Sequence, residues 1–181
     1  MVAKLAEICA PIRARPGAPH FHRALDLGAG TGLTGASIGP YAGEMHGLDL
    51  SPEMLELANR SGVYSRTFVA GMTDFLTDPP AGAHRSYDFI VAGDALVYLG
   101  DLAPLFTGAV RRLNPGGWFL FTVEALAAGD FTLQTTGRYP HGAEYIRVLA
   151  LDAGFEPGNL DRITPRRDGA VTGLLGCFHR P

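Results

Sequence analysis

The stretch "ALDLGAGTGLTG" at residues 24–35 joins a short apolar run to a cluster of glycines. Its apolar residues surround one acid, Asp26, and run into glycines at close spacing. Such a run reads as a buried strand, a tight turn and the start of a helix, because glycine lets the backbone turn sharply and approach a ligand. A helix opening there offers free N–H groups and the positive end of its dipole. Two glycine patterns overlap: Gly28, Gly30 and Gly32 form G-x-G-x-G, and Gly30, Gly32 and Gly35 form G-x-G-x-x-G. The second is a dinucleotide pattern, and it fits only if the strand runs on to Ala29. Under the first, Gly35 falls inside the helix as a packing residue.

Downstream, "MHGLDL" is a second strand ending near Asp49, 21 residues after Gly28. An acid at that place accepts hydrogen bonds from both hydroxyls of a ribose. The glycine-loop helix is expected over about 31–39, stopped by Pro40. "SPEMLELANR" opens a helix with Ser51 as N-cap and Pro52 at the first helical position. "RTFVA" and "YDFIVAG" are the third and fourth strands, and a helix covers about 101–113. Its Arg111 and Arg112 suit the negative end of the helix dipole and read as a solvated helix end. "NPGG" turns into "WFLFTVE", a fifth strand ending at Glu124, and "GAEYIRVLALDAGF" is a helix closed by Gly154. "NLDRIT" and "AVTGLLGCFH" form a closing hairpin with "RRD" at its tip, residues 166–168. Upstream, Val2, Leu5, Ile8, Cys9 and Ile12 share one helical face within residues 2–13, before the breaker "RARPGAPH".

Strands alternating with helices predict an α/β, Rossmann-like doubly wound sheet of about seven strands. It is mostly parallel, with an antiparallel C-terminal edge strand and helices on both faces. One domain is expected over 1–181, a helix and linker to residue 20 preceding the core at 21–181. Ligands of such sheets bind beyond the carboxyl ends of the strands, near the switch point. That gathers residues 28–32, Asp49, residues 70–72, Gly93, Asp94 and Glu124 around one crevice.

The composition agrees with this. A chain of 181 residues with 46% hydrophobic and 18% charged residues buries a sizeable core and is not disordered. The net charge of -3 argues against a nucleic-acid partner. No apolar run spans a bilayer and no signal-peptide pattern opens the chain, so a cytoplasmic protein is expected. Cys9 and Cys177 lack metal-type spacing and are expected to be reduced and buried. His20 and His22 have no third ligand nearby in sequence, so no metal is expected.

Taken in order, "LDLGAGTG", "GLDLSPEML", "YDFIVAGDAL" and "LNPGGWF" resemble the motifs of class I S-adenosylmethionine-dependent methyltransferases over nearly the whole chain. "DALVYLGDL" and "GRYPHGAEYIRVLALDAGF" further resemble a bacterial branch often fused to tetratricopeptide repeats. About two dozen residues precede the first strand, too few for one such repeat.

The resemblance implies S-adenosylmethionine as cofactor and S-adenosylhomocysteine as product. Gly28, Ala29, Gly30 and Gly32 would pack under the methionine and ribose, with Asp26 supporting the loop near the methionyl amine. A carboxylate there disfavours a pyrophosphate and suits a cationic ligand. Asp49 would bind the ribose hydroxyls, Leu50 and Met54 would flank the adenine, and Gly93 and Asp94 would meet the methionine part. The family usually places an acid soon after the third strand to hold the adenine amino group. Here Gly71 stands there, leaving the Met72 N–H and Asp74 for that contact.

A sulfonium makes its methyl group electrophilic, so the protein's task is mainly to orient a nucleophile, with a base only where a proton must leave. The polar candidates on the acceptor side are Tyr98, Glu124, Arg138, Tyr139, His141 and Tyr145. His141 titrates in the range of a base, yet it and Tyr139 serve equally to pack the following helix. Glu124 ends a strand at the crevice, Tyr98 is as well placed to pack the next helix, and Tyr145 reads as a half-buried helix residue. The expected activity is methyl transfer to a small molecule or a protein side chain. A nicotinamide-dependent oxidoreductase is the alternative from the second glycine pattern. A non-catalytic binding or scaffold domain is the alternative from Gly71.

Overall fold

The computed structural model describes residues 21–164 and 172–181. The expected helix at 2–13 and the hairpin tip at 166–168 lie outside them. The strands are β1 (Phe21–Leu27), β2 (Ala42–Asp49), β3 (Arg66–Val69), β4 (Tyr87–Ala92), β5 (Leu113–Leu126), β6 (Pro140–Gly142), β7 (Asn159–Ile163) and β8 (Gly173–His179). The helices are α1 (Leu33–Ile38), α2 (Pro52–Asn59), α3 (Met72–Thr77), α4 (Ala103–Arg112) and α5 (Ala143–Ala153). The strands lie side by side in the order β3-β2-β1-β4-β5-β8-β7. The short β6 pairs in parallel with the end of β5, Glu124 opposite Pro140.

The inner strands are buried on both faces, which is why they read as nearly continuous apolar runs. Alternate residues divide between two cores. Leu25, Ile90, Phe119 and Phe121 pack against Phe75, Leu105, Phe106 and Ile146 from α3, α4 and α5. Ala24, Phe89, Val91 and Leu120 pack against Ile38, Leu55 and Ala58 from α1 and α2. A register slip of one residue would exchange the two sets, so both covering layers fix the register.

Three local features differ from the sequence reading. The antiparallel strand is β8, which pairs with β5 on one side and β7 on the other, so it lies one place inside the edge. The helix after the glycine loop ends at Ile38, and Pro40 lies in a 3₁₀ turn over Gly39–Tyr41. Arg112 is not a solvated helix end. Its guanidinium donates to the carbonyls of Leu76 at 2.7 Å and Thr77 at 2.9 Å, tying down the C-terminus of α3. Cys177 is buried, and burial raises its thiol pKa to about 11. Among the described residues no helix is long and apolar enough to cross a membrane.

Candidate functional site

A cleft of about 640 Å³ opens at the carboxyl ends of β1, β2, β3 and β4. β1 ends at Leu27, so the condition for the dinucleotide pattern, a strand reaching Ala29, is not met. The loop that follows is fixed by steric need. Gly28 has φ +71°, and a Cβ on it would lie 2.6 Å from the Cβ of Ala95. A side chain at Gly28 is therefore disfavoured twice, by backbone conformation and by space. The Ala29 N–H donates to the Leu48 carbonyl at 2.8 Å, tying the loop to β2. Gly32 is the N-cap of α1.

Asp49, the last residue of β2, holds both sides of the cleft floor. One carboxylate oxygen accepts from the Gly30 N–H at 2.9 Å and the other from the Ser51 N–H at 2.9 Å. Each oxygen keeps a second lone pair, and the residue lines the cleft. Ser51 in turn caps α2, its Oγ accepting from the Met54 N–H at 3.2 Å. That cap presents Leu50 and Met54 at the cleft wall, both with exposed apolar surface.

Asp26 takes no part in the lining. It is fully buried beneath the loop, where the Tyr64 hydroxyl donates to its Oδ2 at 2.7 Å. Burial raises its carboxyl pKa to about 7, against the lowering effect of the Tyr64 and Gly35 hydrogen bonds. The Tyr64 ring fills space that two glycines leave empty. A Cβ on Gly35 would fall 2.1 Å from its hydroxyl oxygen, and one on Gly47 would fall 2.7 Å from its ring. Gly35 is thus a packing glycine inside α1, as the first glycine pattern expects. Tyr64 escaped the sequence reading, although a glycine in the middle of a central strand is the signal of such a close approach.

At the far end, Gly71, Met72 and Asp74 all line the cleft. The Asp74 carboxylate folds back over Gly71, its Oδ2 3.0 Å from where a Gly71 Cβ would lie. An acid therefore does reach that wall, from the first turn of α3. Gly93 and Asp94 line the opposite side with Tyr98. Asp94 has φ 57°, unusual for a residue with a side chain, and its N–H donates to Thr122 Oγ1 at 2.9 Å.

The remaining acceptor-side candidates form a second layer. Arg138 pairs with Asp94, and its Nε lies 2.7 Å from Glu124 Oε1. Its guanidinium stacks on the Tyr98 ring, 5.4 Å from the centroid. Burial works against the Arg138 charge, and the two carboxylates outweigh it. Glu124 is buried and absent from the cleft lining. His141 is fully buried, its Nε2 3.0 Å from the Gly100 carbonyl, and burial lowers its pKa. Tyr139 is half-buried, its N–H donating to the Val97 carbonyl at 2.7 Å. The Tyr145 hydroxyl accepts from the Leu102 N–H at 2.9 Å and donates to Asp101 at 3.0 Å, bracing the start of α4. Of these six acceptor-side candidates, only Tyr98 lines the cleft.

A family model described as a methyltransferase domain matches residues 25–119, slightly more than half of the chain, from within β1 through β4 and into β5. The chain belongs to this methyltransferase family. A ubiquinone biosynthesis O-methyltransferase of Xanthomonas oryzae is 30% identical over 128 residues, covering 70% of this chain and 51% of the relative. One of the same description from Bordetella pertussis is 24% identical over 165 residues, covering 88% of this chain and 66% of the relative. The chain thus spans about half to two thirds of the length of these relatives. Among solved structures, the N-methyltransferase NodS from Bradyrhizobium japonicum, in complex with S-adenosylhomocysteine, superposes with a TM-score of 0.77 at 19% identity. That match covers 99% of this chain and 85% of NodS. The 1,6-didemethyltoxoflavin N1-methyltransferase of Burkholderia thailandensis gives 0.74 at 19% identity, over 99% of this chain and 77% of the other. Both share the fold of this chain.

Proposed function

We propose that this methyltransferase binds S-adenosylmethionine in the cleft and transfers its methyl group to a nucleophilic oxygen or nitrogen of a small molecule. The carrying observation is Asp49, a carboxylate fixed by two backbone amides at the end of β2 with a lone pair left on each oxygen. That geometry suits the vicinal hydroxyls of a ribose. Leu50, Met54 and Met72 supply an apolar wall for the adenine, and Asp74 an acceptor for its amino group. Gly28 lets the chain come close beneath the methionine part, where a Cβ would already strike Ala95.

The bound cofactor supplies the electrophilic methyl group. The chain's own contribution is to orient the acceptor and shed water. Tyr98, stacked on Arg138 at the cleft rim, is the residue placed to meet the acceptor. Glu124 and His141 are engaged below it, so a fixed general base is not part of this reading. The small-molecule acceptor rests on the relatives, whose names describe ubiquinone biosynthesis and toxoflavin methylation.

Calorimetry with S-adenosylhomocysteine tests the cofactor site. Asp49→Ala is expected to weaken binding about fivefold or more, as a part-buried hydrogen-bonding group worth roughly 1–3 kcal/mol is lost. Unchanged affinity would place the cofactor elsewhere. Radiolabelled methyl transfer to a panel of phenols, catechols and amines tests the acceptor class, and label appearing only in added protein would overturn it.

A further inference from the structure

At the opposite end of the sheet, three side chains converge that the methyl-transfer site does not use. Glu44 and His46 are two apart on β2 and so project from the same face, and His84 comes from the segment leading into β4. One ligand atom from each lies within 4.8 Å of the others. Glu44 Oε2 is 2.8 Å from His84 Nε2, and Glu44 Oε1 is 3.5 Å from His46 Nε2. The two imidazoles stack in parallel, with centroids 4.3 Å apart and an interplanar angle of 3°.

We propose that Glu44, His46 and His84 bind a single divalent cation of the zinc type, through both Nε2 atoms and one Glu44 oxygen. Two imidazole nitrogens and a carboxylate oxygen are a donor set that zinc takes at about 2.0–2.2 Å. Ligands at that range around a tetrahedral ion lie about 3.3 Å apart, so the Glu44–His84 and Glu44–His46 spacings of 2.8 and 3.5 Å need shifts of about half an ångström or less, while the stacked imidazoles must turn for both nitrogens to face one ion. The shell behind the ligands is also in place. His46 Nδ1 lies 3.0 Å from the buried Tyr87 hydroxyl, which fixes the ring and leaves Nε2 facing the cluster. An outer hydrogen bond of this kind orients a metal-binding histidine. His46 is 2% exposed and His84 22%, so one side is sealed and the other open for entry and for a fourth ligand.

A hydrogen-bonded Glu44–His84 pair alone would not bring a second imidazole nitrogen onto the same carboxylate. The charges of Arg23 and Arg66 act on Glu44 and His46 respectively and oppose a cation, so micromolar rather than tighter affinity is expected. The site is three to five residues upstream of Asp49 along β2, about 10–16 Å at ~3.3 Å per residue. Its role would be to pin the segment before β4 to β2, away from the chemistry.

The test is titration of zinc chloride into the whole chain, read by calorimetry and thermal melting, with cobalt absorption as a report of geometry. The expected result is one ion per chain and a melting temperature raised by roughly 5 °C or more at about a hundredfold excess over Kd. His84→Ala and Glu44→Gln should each weaken binding at least tenfold while melting as cooperatively as the parent without metal. A His20→Ala, His22→Ala double variant should bind unchanged. Absence of micromolar binding would overturn the proposal. So would affinity indifferent to His84→Ala and Glu44→Gln, or binding lost with His20 and His22.

Discussion

Replacing Asp26 with Asn should change the pH dependence of stability in a defined direction. Burial raises the folded-state pKa of Asp26 from 3.8 to about 7. The folded protein therefore holds this proton more tightly than the unfolded chain does. Its contribution to stability is fully present below pH 4 and is lost as pH rises through 7. About three pH units at roughly 1.4 kcal/mol each give on the order of 4 kcal/mol over the whole window. Roughly two of those units lie above pH 5, so wild type should lose about 3 kcal/mol between pH 5 and pH 8 that Asp26→Asn does not lose. The Asn carbonyl still accepts from Tyr64, though more weakly than an ionised carboxylate, which trims the gain at pH 8 by about 1 kcal/mol. Urea unfolding of both proteins without cofactor at pH 5, 6, 7 and 8 measures the difference. Tyr64→Phe is the control, because it removes a hydrogen bond that lowers this pKa and should carry the loss to higher pH. Parallel stability curves for wild type and Asp26→Asn would mean that folding does not raise the Asp26 pKa.

Three other perturbations probe separate parts of the molecule. Gly28→Ala forces a side chain onto φ +71° and against Ala95, and should cost about 1–3 kcal/mol in chemical denaturation as well as weaken S-adenosylhomocysteine binding. Arg112→Ala should lower stability by about 1–3 kcal/mol, because the carbonyls of Leu76 and Thr77 lose their donor, while cofactor affinity in calorimetry stays within twofold. Arg138→Met strips the cation from between Asp94 and buried Glu124 and should destabilise by about 3 kcal/mol. Adding Glu124→Gln should restore part of that in a double-mutant cycle, and strict additivity would mean the two residues are not coupled.

The parts of the fold visible in the sequence are those whose cause is local. β1, β4 and β5 are buried on both faces and so form apolar runs, and the glycine loop, the Ser51–Pro52 cap and Gly154 carry their own turn chemistry. What stayed hidden is short or distant. α3 has six residues and β6 three, below the length at which any periodicity appears. Because α3 was unseen, Arg112 had no visible partner. Nothing local ties His141 to the Gly100 carbonyl 41 residues away, so its burial follows only from the packing of β6 against β5. Glu44 and His46 share a face by their spacing, but the ligand that completes the cluster comes 38 residues later, beyond any sequence-local metal pattern.

The same distinction between local and tertiary causes explains why three acids at neighbouring strand ends, all plain in the sequence, do three different things. Asp49 meets two amides of its own surroundings and faces the cleft, so it is prepared to receive hydroxyls. Asp94 meets Arg138 from a distant loop, which offsets its charge at the rim where the acceptor would enter. Asp26 meets a phenol in a dry interior and keeps its proton to near neutral pH, so it is a supporting residue beneath the loop. A carboxylate that ionised freely under the glycines would need a cation or several N–H donors in direct contact. Among the described residues, Asp26 has only the Tyr64 hydroxyl and the Gly35 N–H to offset its charge. The acid of the glycine motif therefore sets how costly the loop is to build, and Asp49 sets what the loop can hold.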